Sequence, residues 1–368
     1  MRTELLKIIE GGLEKNRDKV QSYTQLLIDK LRAEGDEKFA NRIKNILEKK
    51  IPHPVYLDEF MAKPVDQDSR LEMVDVSLAN DTSEQIVLPD LTKIKLDHYI
   101  ASLKHRSEFV KLGLDLPESL LLYGPPGCGK TSIAHYISQQ TGLPLITAKL
   151  DAMVSSLLGS TAKNIRRIFE YAKERPCILF LDEFDAIAKS RDDEHEVGEL
   201  KRVVNSLLQN IDNFNQNNIL LAATNHEKLL DPAIWRRFST VIEIPKPPVT
   251  EIEKLVQLFL STIDCDFVQD EKKLFKVSAL LEGLSPSDIK VLCYNAIKTT
   301  VIAEGKTVTY PQFIYQIYLF KHTEKDKTSL MRYLNENGVT QAEISKQTGI
   351  SVRQVRKMLK DEEGKIYG

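Results

Sequence analysis

"GPPGCGKT", Gly124 to Thr131, fits the spacing G-x-x-x-x-G-K-[ST] and lies between an apolar run, "SLLLY" (119–123), and a helix-forming run, "SIAHYISQQ" (132–140). In a strand, loop, helix order, the glycines let backbone N–H groups approach phosphate oxygens while the helix N-terminus adds partial positive charge. Gly124, Pro125, Pro126, Gly127, Cys128, Gly129, Lys130, Thr131 and Ser132 therefore form the expected phosphate-binding loop. Lys130 is placed to reach the outer phosphates of a nucleoside triphosphate, and Thr131 to ligate magnesium.

Four more apolar runs follow: "LPLITAKL" (143–150), "CILFLDE" (177–183), "NILLAATN" (218–225) and "STVIEIP" (239–245), with helical stretches between most of them. Continuous apolar strands alternating with helices predict an α/β fold, a parallel five-stranded sheet flanked by helices. An acid at the end of a buried strand beside the phosphate loop can hold hydrated magnesium, the role expected of Asp182. Its neighbour Glu183 is expected to polarise water for attack on the terminal phosphate. Asn225 ends a third strand, where its amide would orient that water. Asp185 and the run "DDEHE" (192–196) read as solvated charges on a helix face or loop.

The composition is that of a globular chain of two or three domains: 368 residues, 42% hydrophobic and 28% charged. A net charge of -2 and a pI near 6.4 exclude a globally basic nucleic-acid binder, so any DNA contact must be local. Cys128, Cys177, Cys265 and Cys293 show no C-x-x-C spacing and fit reduced thiols in a cytoplasmic protein. "MRTELLKIIEGG" is too short in apolar residues for a signal peptide, and no run approaches the ~18 apolar residues of a membrane span, so neither export nor a membrane partner is expected.

In an N-terminal helical module over 1–50, helical spacing over residues 13–50 places Val20, Tyr23, Leu27 and Leu31 on one stripe and Phe39, Ile43 and Leu47 on another. Gly35 and Asp36 read as a stop and a new N-cap, giving a helical hairpin that either docks a partner or packs on the main domain. Residues 51–85, broken by Pro52 and Pro54, read as a linker. The large α/β unit then runs over 86–245, and after "PKPP" (245–248) an all-helical lid runs over 246–322. The charged "KHTEKDK" (321–327) separates the lid from a C-terminal module, 323–368.

Taken in order, these motifs resemble those of the AAA (AAA+) family of P-loop ATPases, its classical clade in particular. The resemblance runs from Ser119 to Lys298 and includes "RRIFEYAKERPCILFLDEFDAIAKSR", "RVVNSLLQNID", "ATNHEKLLDPAIWRRF" and "GLSPSDI". It implies self-assembly into a homo-hexamer or another ring, with ATP and Mg2+ at the subunit interfaces. It also implies that Arg236 and Arg237 of "WRRF" reach the neighbour's ATP as fingers. In clade members that thread polypeptide, an aromatic-apolar-glycine triplet follows the second strand; here the matching residues are Leu157, Leu158 and Gly159, which removes the aromatic lever. The clade's adenine-contacting motif has no match in "LPDLTKIKLDHYIAS" (88–102), which leaves the base pocket unassigned.

In "TQAEISKQTGISVRQVRKMLK" (340–360), Ile344, Gly349, Ile350, Val355 and Met358 have helix-turn-helix spacing, and Ser351 can cap the second helix. "TSLMRYLNENG" (328–338) supplies the first helix of a three-helix unit. Arg353, Arg356, Lys357 and Lys360 are available to DNA phosphates, and Arg353 or Gln354 to bases. Small three-helix units also serve as protein docking modules. The expectation is a ring ATPase that couples Mg-ATP hydrolysis to remodelling or regulating a macromolecular target, associated with DNA through this tail. The alternatives are a nucleotide-switched module that recruits a separate effector enzyme, such as a nuclease or protease, and a polypeptide-threading unfoldase.

Overall fold

The structure, a computed structural model, describes residues 5–7, 9–10, 17–33, 36–48, 63–66, 70, 72–79, 85–114, 118–150, 158–185, 197–214, 218–322 and 326–366. The chain divides into two compact units, residues 1–59 and 60–368. In the first, α1 (Arg17–Ala33) and α2 (Glu37–Glu48) pack on one another and bury Leu27, Ile28, Leu31 and Ala40. The Asp36 carboxylate accepts the Phe39 N–H at 3.1 Å, satisfying a donor in the first turn of α2. Phe39, expected on the apolar stripe, is exposed; Ala40, one residue on, takes the buried place. Gly35 and the side chains of Val20 and Leu47 lie outside the described residues.

The second unit opens with β1 (Val74–Ser77), α3 (Asp90–Lys104) and α4 (Arg106–Lys111). It continues through β2 (Ser119–Tyr123), α5 (Lys130–Thr141), β3 (Leu145–Ala148), α6 (Leu158–Lys173), β4 (Ile178–Leu181), α7 (Val197–Asp212), β5 (Ile219–Thr224), α8 (Pro232–Trp235) and β6 (Thr240–Glu243). The strands form one sheet in the order β1-β3-β4-β5-β2-β6. The five expected strands pair with one another in parallel throughout. A sixth, β1, lies antiparallel on β3 with Val74 opposite Ala148. The segment read as a linker over 51–85 therefore supplies an edge strand. Its four residues gave no apolar run because Val74 is buried while Asp75 is exposed, the mark of an edge.

Leu120, Leu122, Ile178, Phe180, Ile219 and Leu221 face one core with Leu96 and Ile100 of α3 and Ile133 and Ile137 of α5. The alternate residues Leu121, Leu179, Leu220 and Ala222 are equally buried, as the period of a strand covered on both sides requires. Helix α6 packs on β4 and on α7.

Beyond β6 come α9 (Val249–Phe259), β7 (Asp264–Cys265), α10 (Glu271–Leu280), α11 (Pro286–Ile302), β8 (Thr307–Val308) and α12 (Tyr310–Lys321). The expected all-helical lid thus contains a short parallel strand pair, β7 with β8. Three helices follow: α13 (Lys327–Glu336), α14 (Gln341–Thr348) and α15 (Val352–Ile366), with Gly349 at φ 71 between the last two. They do not form the separate module expected over 323–368. Met331, Leu334, Val339, Ile344 and Val355 belong to one buried cluster with Leu274 and Val277 of α10 and Phe313 and Ile317 of α12. The Tyr310 hydroxyl donates to the Asn337 carbonyl at 2.7 Å and Lys276 Nζ to the Glu336 carbonyl at 2.9 Å. The two ends of the charged stretch that signalled a boundary, Lys321 and Lys327, belong to α12 and α13, which share one core.

Candidate phosphate and nucleotide site

The carboxyl ends of β2, β4 and β5 meet at a cleft of about 1170 Å³. Leaving β2, the chain turns at Gly124, where a Cβ would stand 2.2 Å from the Ile244 carbonyl oxygen. Only glycine allows the loop so close to the end of β6. Gly129 takes φ 91 and starts α5, whose first residues, Lys130, Thr131 and Ser132, line the cleft with Pro126, Gly127 and Cys128. Lys130 is buried, and Nζ donates to the carbonyls of Gly124 at 2.8 Å and Pro125 at 2.9 Å, spanning the loop from beneath. Burial pulls its ammonium below the usual lysine range, against the opposing pull of Cys128, Asp182, Asp185 and Glu227.

Thr131 Oγ donates to Asp182 Oδ2 at 2.7 Å, so the hydroxyl of the loop and the acid of β4 share one spot. The other carboxylate oxygen of Asp182 accepts the Glu183 N–H at 2.9 Å. Glu183 leaves the strand at φ 49, in the left-handed region that a non-glycine residue enters at a cost, and its side chain is exposed to the cleft. Asn225 lines the same cleft from the end of β5.

This donor set fits magnesium. Mg2+ is ordinarily held by one or two protein oxygens, with the rest of its shell supplied by water and substrate phosphates. Thr131 and Asp182 offer that pair, and among the described residues no cluster of three or more His, Cys, Asp or Glu competes as a metal site.

Not all expected residues meet here. Arg236 and Arg237 follow α8 and do not line the cleft. Arg237 is bound within its own chain, to Asp212 of α7 and to the Ala233 carbonyl. The Arg236 side chain is exposed, with no hydrogen bond or ion pair among the described residues. Leu157 lies outside the described residues, and Leu158 and Gly159 open α6 instead of sitting in a loop. In the tail, Arg353, Gln354, Arg356 and Lys357 are exposed on α15, whereas the Lys360 side chain is outside the described residues. Gln354 is committed to a cap: its amide oxygen accepts from Ser351 Oγ at 2.8 Å and its N–H donates back to Ser351 Oγ at 3.4 Å. Arg356 Nε donates to Gln341 Oε1 at 3.3 Å.

Two features were not read from the sequence. The apolar end of the cleft is made by Val87 and Leu88 with Leu255 and Phe259 of α9 and Tyr294 and Ile297 of α11. No motif marks these residues, because they are ordinary apolar positions brought together only by folding. Asp185, read as a solvated charge, is buried; its carboxylate accepts from Thr224 Oγ at 3.1 Å and from the Asn225 N–H at 3.2 Å. The signal available was an acid one residue beyond Phe184 in a strand-end run, where a solvated side chain is not required.

The family model described as ATPase family associated with various cellular activities (AAA) matches residues 120–246. An uncharacterized AAA family ATPase, y4kL, of Sinorhizobium fredii is 42% identical over 214 residues, 58% of this chain and 63% of its own. Proteasome-activating nucleotidase 1 of Haloferax volcanii is 33% identical over 231 residues, 61% of this chain and 56% of its own. ATP-dependent zinc metalloprotease FtsH of Caulobacter vibrioides is 33% identical over 244 residues, covering 63% and 38%. The matched region is thus less than two thirds of the length of each of these relatives. The crystal structure of the FIGL-1 AAA domain superposes with a TM-score of 0.56 over 71% of this chain and 90% of that one, at 23% identity, a likeness of fold alone.

Proposed function

We propose that this chain, whose residues 120–246 match the AAA family model, assembles into a ring in the cytoplasm and hydrolyses ATP with Mg2+ to remodel or regulate a macromolecular target. The observation that carries the reading is the Thr131 hydroxyl on Asp182, with Glu183 and Asn225 facing the same cleft. Lys130 and the loop amides bind the outer phosphates; Thr131 and Asp182 hold the metal. Bound magnesium supplies positive charge against the phosphate oxygens. Glu183 would take a proton from water as the water oxygen bonds to the terminal phosphorus and the bond from that phosphorus to the bridging oxygen breaks, ADP leaving with the electron pair; Asn225 would orient the water. Arg236 acts on the cleft of a neighbouring copy, with Arg237 beside it on its pair with Asp212, in keeping with the absence of both from their own cleft.

Two substitutions test this. Lys130→Ala should weaken ATP binding by about 100-fold or more, since Lys130 is the one basic residue of the loop Gly124–Ser132. Glu183→Gln should bind ATP as tightly as the native protein but lower turnover by about 100- to 10,000-fold. Calorimetric titration with phosphate-release assays separates the two, and equal loss of affinity in both variants sinks the assignment.

The tail favours duplex DNA as one ligand. A glycine turn between α14 and α15, the Ser351 cap, and exposed Arg353 and Lys357 match the docking of a helix in the major groove. Removing one side chain that neutralises a DNA phosphate should lower the log-log salt slope by about 0.9. Salt-insensitive binding would make the tail a protein docking module instead.

A second reading comes from the relatives named proteasome-activating nucleotidase and ATP-dependent zinc metalloprotease. In it, the ring delivers polypeptide to a protease or recruits one as effector. ATP-dependent unfolding of a stable tagged domain would establish that role. Leu157, Leu158 and Gly159, without an aromatic residue, lead us to expect none.

A further inference from the structure

The last ladder pair between β4 and β5 is Leu181 with Ala222, yet the groups that face the cleft, Glu183 and Asn225, lie beyond it. Something other than the sheet must fix their separation. Past the ladder, the Phe184 N–H donates to the Ala223 carbonyl at 2.8 Å, and the left-handed turn at Glu183 brings the chain onto the end of β5. Asp185 then completes the bridge. Its Oδ1 takes the Thr224 hydroxyl at 3.1 Å and the Asn225 N–H at 3.2 Å, and its Oδ2 lies 3.9 Å from His226 Nε2. The Thr224 hydroxyl oxygen in turn accepts the His226 N–H at 3.0 Å.

Thr224 is wholly buried and Asp185 is 7% exposed. A carboxylate so placed needs donors, and a helix-face charge would have found water instead. Here both donors to Oδ1 come from consecutive residues at the end of β5, one of which carries the amide side chain that faces the cleft.

We propose that Asp185 is a positioning residue that sets the distance between Glu183 and Asn225 by holding the Asn225 backbone and the Thr224 hydroxyl. The inference rests on the ATPase reading for its consequence, not for its geometry. Asp185 does not line the cleft. Its loss lets Asn225 drift relative to Glu183 while Lys130 and Thr131 of α5 and Asp182 just past the end of β4 stay in place. Turnover should therefore suffer and nucleotide binding should not.

The test compares Asp185→Ala, Asp185→Asn and Thr224→Val in the full chain by ATP titration, steady-state hydrolysis and amide exchange at Asn225. Asp185→Ala should lower kcat by about 10- to 100-fold, with KM within about threefold and faster exchange at Asn225. Asp185→Asn keeps an acceptor oxygen and should restore kcat to within about threefold and slow the exchange again. Thr224→Val removes one donor: it should cost less than Asp185→Ala and add nothing on top of it. If Asp185→Ala does not fold, Asp185→Asn against Thr224→Val carries the comparison.

The proposal is overturned if Asp185→Asn is as impaired as Asp185→Ala, if KM rises as far as kcat falls, or if Asn225 exchange is unchanged. Absence of hydrolysis in the native chain would sink the ATPase reading by itself. The exchange measurement would still decide whether Asp185 holds Asn225.

Discussion

Arg237 is spoken for by its own chain. Nε and Nη2 reach Asp212 at 3.0 and 3.1 Å, and Nη1 donates to the Ala233 carbonyl at 2.7 Å. Its neighbour Arg236 projects into solvent with no partner among the described residues. Two arginines that look equivalent in "WRRF" are thus placed to do different work. Arg236→Ala should leave the melting temperature unchanged and lower turnover by an amount on the order of 1000-fold. Arg237→Ala should first show as a loss of stability of about 1 kcal/mol, since its forked pair with Asp212 is partly exposed and screened. Co-assembly of Glu183→Gln with Arg236→Ala subunits checks the direction of action: restored hydrolysis in verified mixed rings means the finger works across the junction, and no recovery means it works in cis. Motif spacing made Lys130, Thr131, Asp182 and Glu183 legible because their chemistry dictates their spacing. Asp185 was not, because burial of a charge is decided by what folds over it.

Helix α11 meets the phosphate loop directly. The Ser287 N–H donates to the Gly127 carbonyl at 3.1 Å, and Ser285 caps the helix in a reciprocal pair with Asp288. A Cβ at Gly127, at φ 73, would stand 2.7 Å from Ser285 Oγ and 3.0 Å from Ser287 Cβ. Gly129, at φ 91, has nothing within 4 Å of the same added atom. Gly127→Ala should therefore push α11 off the loop and weaken ATP binding by about tenfold more than Gly129→Ala, which pays only for its backbone conformation. Equal losses in a parallel titration would show that the contact with α11 contributes nothing to binding. At this level the sequence carried the parallel strands well, since strands buried on both faces must be apolar throughout. It failed at β1, where one buried valine beside an exposed aspartate leaves no periodic trace. In the tail, Ile344 and Val355 of the helix-turn-helix spacing are buried, but an apolar residue does not state whether it packs within its own three helices or on the lid.

That last ambiguity matters for the molecule as a whole. Met331 and Leu334 are fully buried in a cluster that includes Phe313 and Ile317, and Tyr318 packs against Tyr333 with ring centroids 5.3 Å apart. Cutting the chain after His322 would bare this side of the lid, at about 1.5–3 kcal/mol for each large side chain uncovered. The truncated protein should melt in two steps, the lid first, with weakened ATP binding because α9 and α11 line the cleft. Single melting at the native temperature with intact binding would show that the tail is an independent domain after all. Arg353→Ala with Lys357→Ala, which changes only exposed positions, should leave both measurements untouched.

A tail that shares the lid's core is a lever whose short arm ends at α9 and α11, which line the cleft. Levers act from both ends. Any ligand that grips α15 better in one lid position than in another must alter nucleotide affinity by the same factor by which the nucleotide alters the grip. Cargo on the outside of the protein would then set the tempo within.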